Sequence, residues 1–434
     1  MSTDETKEKV KRASNNTTVL PNVYPEKKDI DILVKKAAEG KKDSASVQLF
    51  TSIMLFAHAS RASDVHIEVG REQGSIRYRI DGILQDLFVL PTTVQNRLIS
   101  LIKILTHMHT DEHRAPQDGR YQFSTPKGDV DVRASIIPCA DGEKAVLRLL
   151  SSESHKLSLE QLGFSPTDLA KVQKATRRPW GMILATGPTG SGKTTSIYAI
   201  LETLNTRDVN ISTIEDPIEF HIEGINQSQV DQVAKLTFAN GLRALLRQDP
   251  DIIMVGEIRD EETAEIAVNA ALTGHKLLST LHTNNAAAAI PRLIDMGVEP
   301  FLLASTLSCA IAQRLMRRVC TNCGEKFDLQ KTEVEKILGE KAVNELFGDK
   351  TTVQVIKSKG CDKCNNTGYH GRVGIYEVME MSEELQKLAI SRVSSEQIEN
   401  QAIKEGMTSL LKDGVAKVLG QETTFEELVR VMRE

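Results

Sequence analysis

The run Gly187-Pro188-Thr189-Gly190-Ser191-Gly192-Lys193-Thr194, followed by Thr195, constrains this chain more than any other stretch. It fits G-x-x-x-x-G-K-[ST], with an apolar, strand-like segment at 181–186 before it and a helical pattern at 194–205 after it. The spacing has a physical reason. Glycines let successive backbone N–H groups curl around phosphate oxygens without a Cβ in the way. The helix that follows aims its positive end at the same oxygens. Lys193 supplies a point charge at the β/γ-phosphates, and the Thr194 hydroxyl offers a ligand to Mg²⁺. The motif therefore specifies a nucleoside triphosphate and leaves open what its energy drives.

A loop of this kind needs a parallel sheet behind it, and the flanking pattern supplies one. Strands at 210–214, 251–255 and 276–281 alternate with helices at 238–246 and 261–272. The core is expected over 160–317. A small α+β domain is expected over 46–150, with helices at 46–60 and 92–105. Its strands fall at 64–68, 75–80, 84–90, 119–124, 129–137 and 144–150. Residues 1–45 are polar and Lys-rich and read as a flexible tail with at most one short helix near 30–38. The serine-rich stretch 151–159 reads as a linker, 318–380 as an irregular cysteine-bearing module, and 381–434 as short helices.

Charge and hydropathy narrow the function. Lys+Arg total 54 against 59 Asp+Glu, a net charge of −5, and aromatics are 4%. Both values argue against a nucleic-acid translocase, which needs a basic, aromatic-lined channel. No run reaches the roughly 18–20 apolar residues of a membrane span. The longest candidate, 301–316, is broken by Ser305, Thr306, Ser308, Gln313 and Arg314. The charged N-terminus lacks the apolar core of a secretory signal. The expectation is a cytoplasmic protein that meets a membrane only through partners.

Hydrolysis requires a carboxylate at the end of a neighbouring strand. Glu257, just past the strand at 251–255 and Gly256, stands where ligands of α/β sheets bind and is the candidate for orienting or deprotonating water. A second pair, Glu215-Asp216, precedes Pro217 and reads equally as a metal or water site or as an Asp-Pro turn. His275 and His282 bracket the strand at 276–281. Taken alone, each fits a hydrogen-bonded structural histidine better than a phosphate contact.

Six cysteines are present. Cys320-x2-Cys323 and Cys361-x2-Cys364 offer two chelating pairs, enough for a closed four-thiolate Zn²⁺ site of the structural kind. A redox role needs only one such pair. Cys139 and Cys309 sit in apolar contexts and read as packing residues.

GPTGSGKTT (187–195), TIEDPIEF (213–220), LRQDPDIIMVGEIRDEETA (246–264) and TGHKLLSTLHTNNAAAAIPRL (273–293) together resemble the secretion traffic ATPases, the motors of type IV pilus assembly and type II secretion. SRASDVHIE (60–68), IRYRIDG (76–82), APQDGR (115–120), GEKAVLRLL (142–150) and IAQRLMRRVC (311–320) fit the same pattern. The likeness spans roughly residues 45–380. It implies a RecA-like parallel-sheet ATPase domain preceded by a small α+β (PAS-like) domain, with an inserted tetracysteine zinc module and C-terminal helices. It also implies ATP, Mg²⁺ and Zn²⁺ as cofactors. By the same resemblance Glu257 is the catalytic glutamate, Glu215 and Asp216 are the Asp-box acids, and His275 and His282 contact the γ-phosphate.

The family is hexameric, with the site completed at the cleft between its two domains by arginines of the small one. Arg77, Arg79, Arg114 and Arg120 are the candidates, a surface salt bridge being an equal reading for each. Arg243 and Arg247 have weaker support. The implied partner is an inner-membrane platform protein, with no nucleic acid. The implied function is a motor for pilus assembly, with type II secretion or a DNA-uptake pseudopilus as the alternative and a non-hydrolysing scaffold as a distant one. Three departures stand out. Only about 45 polar residues precede the small domain, which suggests a minimal motor. Lys235 stands where the family often has glycine, and Ala115 replaces a bulkier aliphatic residue.

Overall fold

The computed structural model describes residues 24–39, 43–126, 128–151, 157–335 and 340–433. It divides into two units, Met1–Ser154 and His155–Glu434. Residues 1–23 of the expected tail and 152–156 of the expected linker lie outside the described residues.

The first unit is an antiparallel sheet with helices on one face. Its strands are β1 (Ala62–Glu68), β2 (Gln73–Ile80), β3 (Ile83–Pro91), β4 (Gln117–Thr125), β5 (Gly128–Cys139) and β6 (Gly142–Ser151). They are ordered β3-β2-β1-β6-β5-β4. Alternation explains the face choice: Ile76, Tyr78 and Ile80 of β2 are buried while Ser75, Arg77 and Arg79 between them are not. The buried set packs on helices Asp43–Ala59 and Thr92–Leu105. Helix Lys27–Glu39 joins them and buries Ile30, Val34 and Ala37. The short helix expected inside a flexible tail is thus part of this core, because its apolar residues recur at helical spacing on one face. Cys139, expected to pack, ends β5 and is exposed.

The second unit is built on a seven-stranded sheet. Its members are β7 (Gly181–Thr186), β8 (Ile211–Glu215), β9 (Asn226–Gln229), β10 (Ile252–Val255), β11 (Lys276–Leu281), β12 (Leu307–Val319) and, after the pair β13 (Gly324–Gln330) and β14 (Thr352–Ser358), β15 (Tyr369–Glu380). The order is β15-β12-β7-β11-β10-β8-β9. All neighbours are parallel except β15, which runs antiparallel to β12 on the edge. Every residue of β7, β10 and β11 is buried. Met182 and Leu184 point into one apolar cluster, Ile183 and Ala185 into another, so both faces are covered.

Two expected boundaries shift. The run 301–316 becomes helix Pro300–Thr306 followed by β12, which extends past 317, and the cysteine segment returns through β15 to the main sheet. Four helices follow, at Glu383–Ile390, Ser395–Lys404, Leu410–Leu419 and Phe425–Arg433. Ser382, Ser394 and Ser409 cap the first three, each hydroxyl accepting a backbone N–H.

Candidate active site and cysteine cluster

The register of the parallel strands decides what meets at the site. Leu281 of β11 pairs with Thr186 of β7, Ser279 with Val255 of β10, and Val255 with Ile214 of β8. The segments leaving these strands therefore emerge along one edge: the phosphate loop, His282, Glu257 and Glu215-Asp216. Gly187 and Gly192 both hold positive φ, +143° and +89°, and helix Lys193–Leu204 starts immediately after. The Lys193 ammonium donates to the carbonyls of Gly187 and Pro188 at 2.8 and 3.1 Å. Burial lowers its pKa, and the Glu257 carboxylate opposes that shift.

Glu257 is held from three sides. Arg259 meets one carboxylate oxygen at 2.5 Å and His282 Nε2 lies 3.3 Å from the other. The backbone around it is fixed by β11: the Thr280 hydroxyl donates to the Gly256 carbonyl, and the Ile258 N–H to the Thr280 carbonyl. Glu257 thus presents a largely buried carboxylate with an arginine on one oxygen and a histidine on the other, near enough to the loop lysine to act on it electrostatically.

Other candidates are placed differently. Glu215 is 2% exposed, and its two oxygens are taken by the Thr213 hydroxyl at 2.6 Å, the Gln227 amide at 3.1 Å and the Tyr198 hydroxyl. Burial raises its pKa. It is an interior anchor, whereas Asp216 is exposed and lines a cavity of about 320 Å³ with Phe238, Arg259 and Glu262. His275 lies at the opposite end of β11 from His282, about 20 Å away at the rise of a strand. Its Nδ1 faces the Ala270 carbonyl at 3.1 Å, so within this unit it stands apart from the loop. Arg243 pairs with Glu262 at 2.7 Å, and Arg247 turns back to the Arg243 carbonyl.

Arg77, Arg79 and Arg120 of the first unit lie at strand positions that alternate with the buried ones, on the sheet face away from the helices. Arg77 is bonded to Glu68 at 2.7 Å; Arg79 and Arg148 flank Asp64 at 3.5 and 3.0 Å. Arg77 and Lys144 outweigh the effect of burial and hold Glu68 at about 2. The register runs Arg79, Asp64, Arg148, Arg133, Arg120 across five strands. This row brings in Arg133 and Arg148, which sequence reasoning missed; the signal was an arginine at an outward position of β5 and of β6 that pair with each other. Asp64 stands between Arg79 and Arg148 in this row and offsets their charge. Arg114 lies outside the row, in the turn where Glu112 accepts its backbone N–H at 2.6 Å.

The four cysteines converge. Sγ of Cys320 and Cys361 are 3.9 Å apart, of Cys323 and Cys364 3.8 Å, and of Cys361 and Cys364 3.7 Å. All four sulfurs lie within 4.8 Å of one another. Sulfurs 2.3 Å from a central Zn²⁺ form a tetrahedron with edges of about 3.8 Å, so the spacing fits a four-thiolate ion. Cys364 Sγ also accepts the N–H groups of Cys361 and Gly368 at 3.2 Å, which stabilises thiolate. Cys309 is fully buried in β12.

Comparison with known proteins agrees with this geometry. Residues 39–430 match the family model "Type II/IV secretion system protein". This chain belongs to that family. Type II secretion system protein E of Pseudomonas aeruginosa is 43% identical over 97% of this chain and 81% of its own length. The type IV pilus assembly ATPase PilB of Myxococcus xanthus is 43% identical over 91% and 69%. The crystal structure of the pilus retraction motor PilT with bound ADP superposes with a TM-score of 0.58 at 27% identity, covering 87% of this chain and 95% of that one. The protein is an ATPase of this family. Lys235 has φ +57°, a left-handed position that glycine adopts freely and a lysine only at about 1–2 kcal/mol.

Proposed function

We propose that this ATPase is the motor of type IV pilus assembly, hydrolysing ATP as a hexamer against an inner-membrane platform protein. The observation that carries the hydrolytic role is the Glu257 cluster, with Arg259 and His282 on its two oxygens beside Lys193. The backbone N–H groups of 187–193 and Lys193 hold the phosphates. Thr194, at the start of its helix, would hold Mg²⁺, which would supply positive charge to neutralise the phosphates. Glu257 orients the attacking water, His282 reports the terminal phosphate through Glu257, and Asp216 lines a cavity with Arg259, the partner of Glu257. Glu215 acts by fixing the strand end. Arg79, Arg120, Arg133 and Arg148 are the cations that the first unit offers to phosphate.

Zn²⁺ on Cys320, Cys323, Cys361 and Cys364 is structural, since four thiolates leave no open position. Among the described residues no helix is long and apolar enough to cross a membrane; attachment at the cytoplasmic face through partners is the reading that family membership supports. Type II secretion is the second reading, favoured by the secretion protein that matches over 97% of the chain.

The test is Glu257→Gln. The purified chain should bind ATP yet hydrolyse it about 100-fold more slowly or worse; unimpaired turnover would remove Glu257 from its role. Introduced in place of the native copy at equal protein level, the variant should abolish surface pili and leave export intact. Normal pili with trapped exported proteins would instead make this a secretion motor.

A further inference from the structure

The phosphate loop receives a side-chain hydrogen bond from outside its own strand–loop–helix unit that the mechanism above does not use. It comes from Gln313 of β12, a residue 1% exposed to solvent. Ala312 pairs with Thr186, so Gln313 lies one step beyond the register and alongside the loop that leaves β7. Its Nε2 donates to the Ser191 carbonyl at 2.7 Å. β12 is pressed into the loop here. A Cβ built on Gly187 would lie 2.6 Å from the Gln313 carbonyl oxygen, and one on Gly192 3.0 Å from Gln313 Nε2. The glycines of the motif thus make room for Gln313 as well as for phosphate.

We infer that Gln313 is a positioning residue for nucleotide binding: its side-chain amide turns the Ser191–Gly192 peptide so that the Gly192 N–H faces the phosphates. In a trans peptide the C=O of one residue and the N–H of the next point in opposite directions. Drawing the Ser191 carbonyl inward to Gln313 therefore directs the Gly192 N–H outward, to the side where Pro188, Thr189 and Gly190 are exposed. A glycine at φ +89° has no steric preference that would hold this orientation by itself. The residue is a costly choice for packing alone. Gln313 Oε1 and the neighbouring Ser191 Oγ are both buried without a hydrogen-bond partner, and an unpaired buried acceptor is destabilising. An apolar side chain of equal length would fill the space without that loss, so what glutamine adds is the donor.

The inference rests on the phosphate-loop reading and is tested on the full chain with ADP and ATP as probes. Gln313→Met keeps length and removes both the donor and the orphaned acceptor; Gln313→Glu sets an acceptor against the Ser191 carbonyl. Gln313→Met exchanges one unpaired buried acceptor, Gln313 Oε1, for another, the Ser191 carbonyl, so it should melt close to the wild-type temperature while binding ADP about tenfold more weakly, the worth of one well-placed hydrogen bond. The loss of kcat/KM for ATP should come mainly through KM. Gln313→Glu should bind more weakly still. Wild-type affinity in Gln313→Met, together with lost affinity in Lys193→Ala, would overturn the inference alone. Undiminished ADP binding by Lys193→Ala would overturn the phosphate-loop reading and this inference with it. A Gln313→Met chain that melts well below wild type and loses affinity in proportion would make Gln313 an ordinary structural residue, and would also overturn the inference.

Discussion

Glu427 is the sharpest place to test how this molecule is held together, because its carboxylate locks the last helix onto β12. The residue is 1% exposed. Arg317 of β12 reaches one oxygen at 2.5 Å and donates its backbone N–H to the other at 3.1 Å, while Arg430 spans both at 2.9 and 3.0 Å. Burial alone would raise the carboxyl; hydrogen bonds from Arg430 and Arg317 outweigh it and hold the group at about 2, against an ordinary 4.5. At 1.36 kcal/mol for each factor of ten in proton affinity, that difference is about 3 kcal/mol of folding free energy.

The sign follows from the direction. A depressed carboxyl stabilises the fold above pH 4.5, and the contribution is lost as pH falls from 4.5 toward 2. Glu427→Gln keeps the shape but leaves two guanidinium groups without their counter-charge, a change that costs about 3–5 kcal/mol in buried pairs. At about 2–4 °C per kcal/mol for a unit of this size, its melting temperature should fall by about 6–20 °C at pH 7.5. The gap to wild type should narrow by about 2 kcal/mol at pH 3, where the native carboxylate has begun to lose its advantage. Thermal melts of the full chain at both pH values, followed by circular dichroism, measure this directly. A variant within about 1 °C of wild type at pH 7.5 would refute the reasoning.

Asp413 has the opposite sign. Burial pushes it up to about 6 despite the Tyr376 N–H and Lys417, so between pH 3.8 and 6 the folded state binds the extra proton and stability falls as pH rises. Asp413→Asn, which keeps the acceptor for Tyr376, should stabilise the chain at pH 7.5 by up to about 3 kcal/mol and abolish that slope; equal stability in urea titrations at pH 7.5 would count against it. For the cysteine cluster, metal analysis should find one Zn²⁺ per chain. Cys361→Ser or a strong chelator should release it and increase proteolysis between residues 320 and 369; retained metal in the serine variant would exclude the four-thiolate site.

Much of the local structure was legible in the sequence because it follows from short-range periodicity. The helix at 92–105 and the alternation in β2 and β5 depend on which residues recur at 3.6 or 2.0 spacing, and the structure has them at those positions. What the sequence obscured are segments whose partner is far along the chain. β12 is buried on both faces, so its run of apolar and small residues has no alternation to read, and its edge partner β15 arrives only after the cysteine segment. The candidate site divides in the same way. The phosphate loop and Glu257 were visible because their chemistry sits in contiguous motifs at strand ends. The burial of Glu215 depends on Tyr198 and Gln227, and the arginine row depends on cross-strand register, neither of which a linear pattern contains.

The sequence by itself determined that this chain carries a phosphate-binding loop and, separately from it, two pairs of thiols at chelating spacing, because a phosphate cradle and a metal knuckle are each built within a few consecutive residues. Tertiary structure decided which of the acids, histidines and arginines stand together. Parallel register puts Glu257 and His282 on one edge and sends His275 to the other end of the same strand, and only a strand brought in from elsewhere in the chain places Gln313 against the loop.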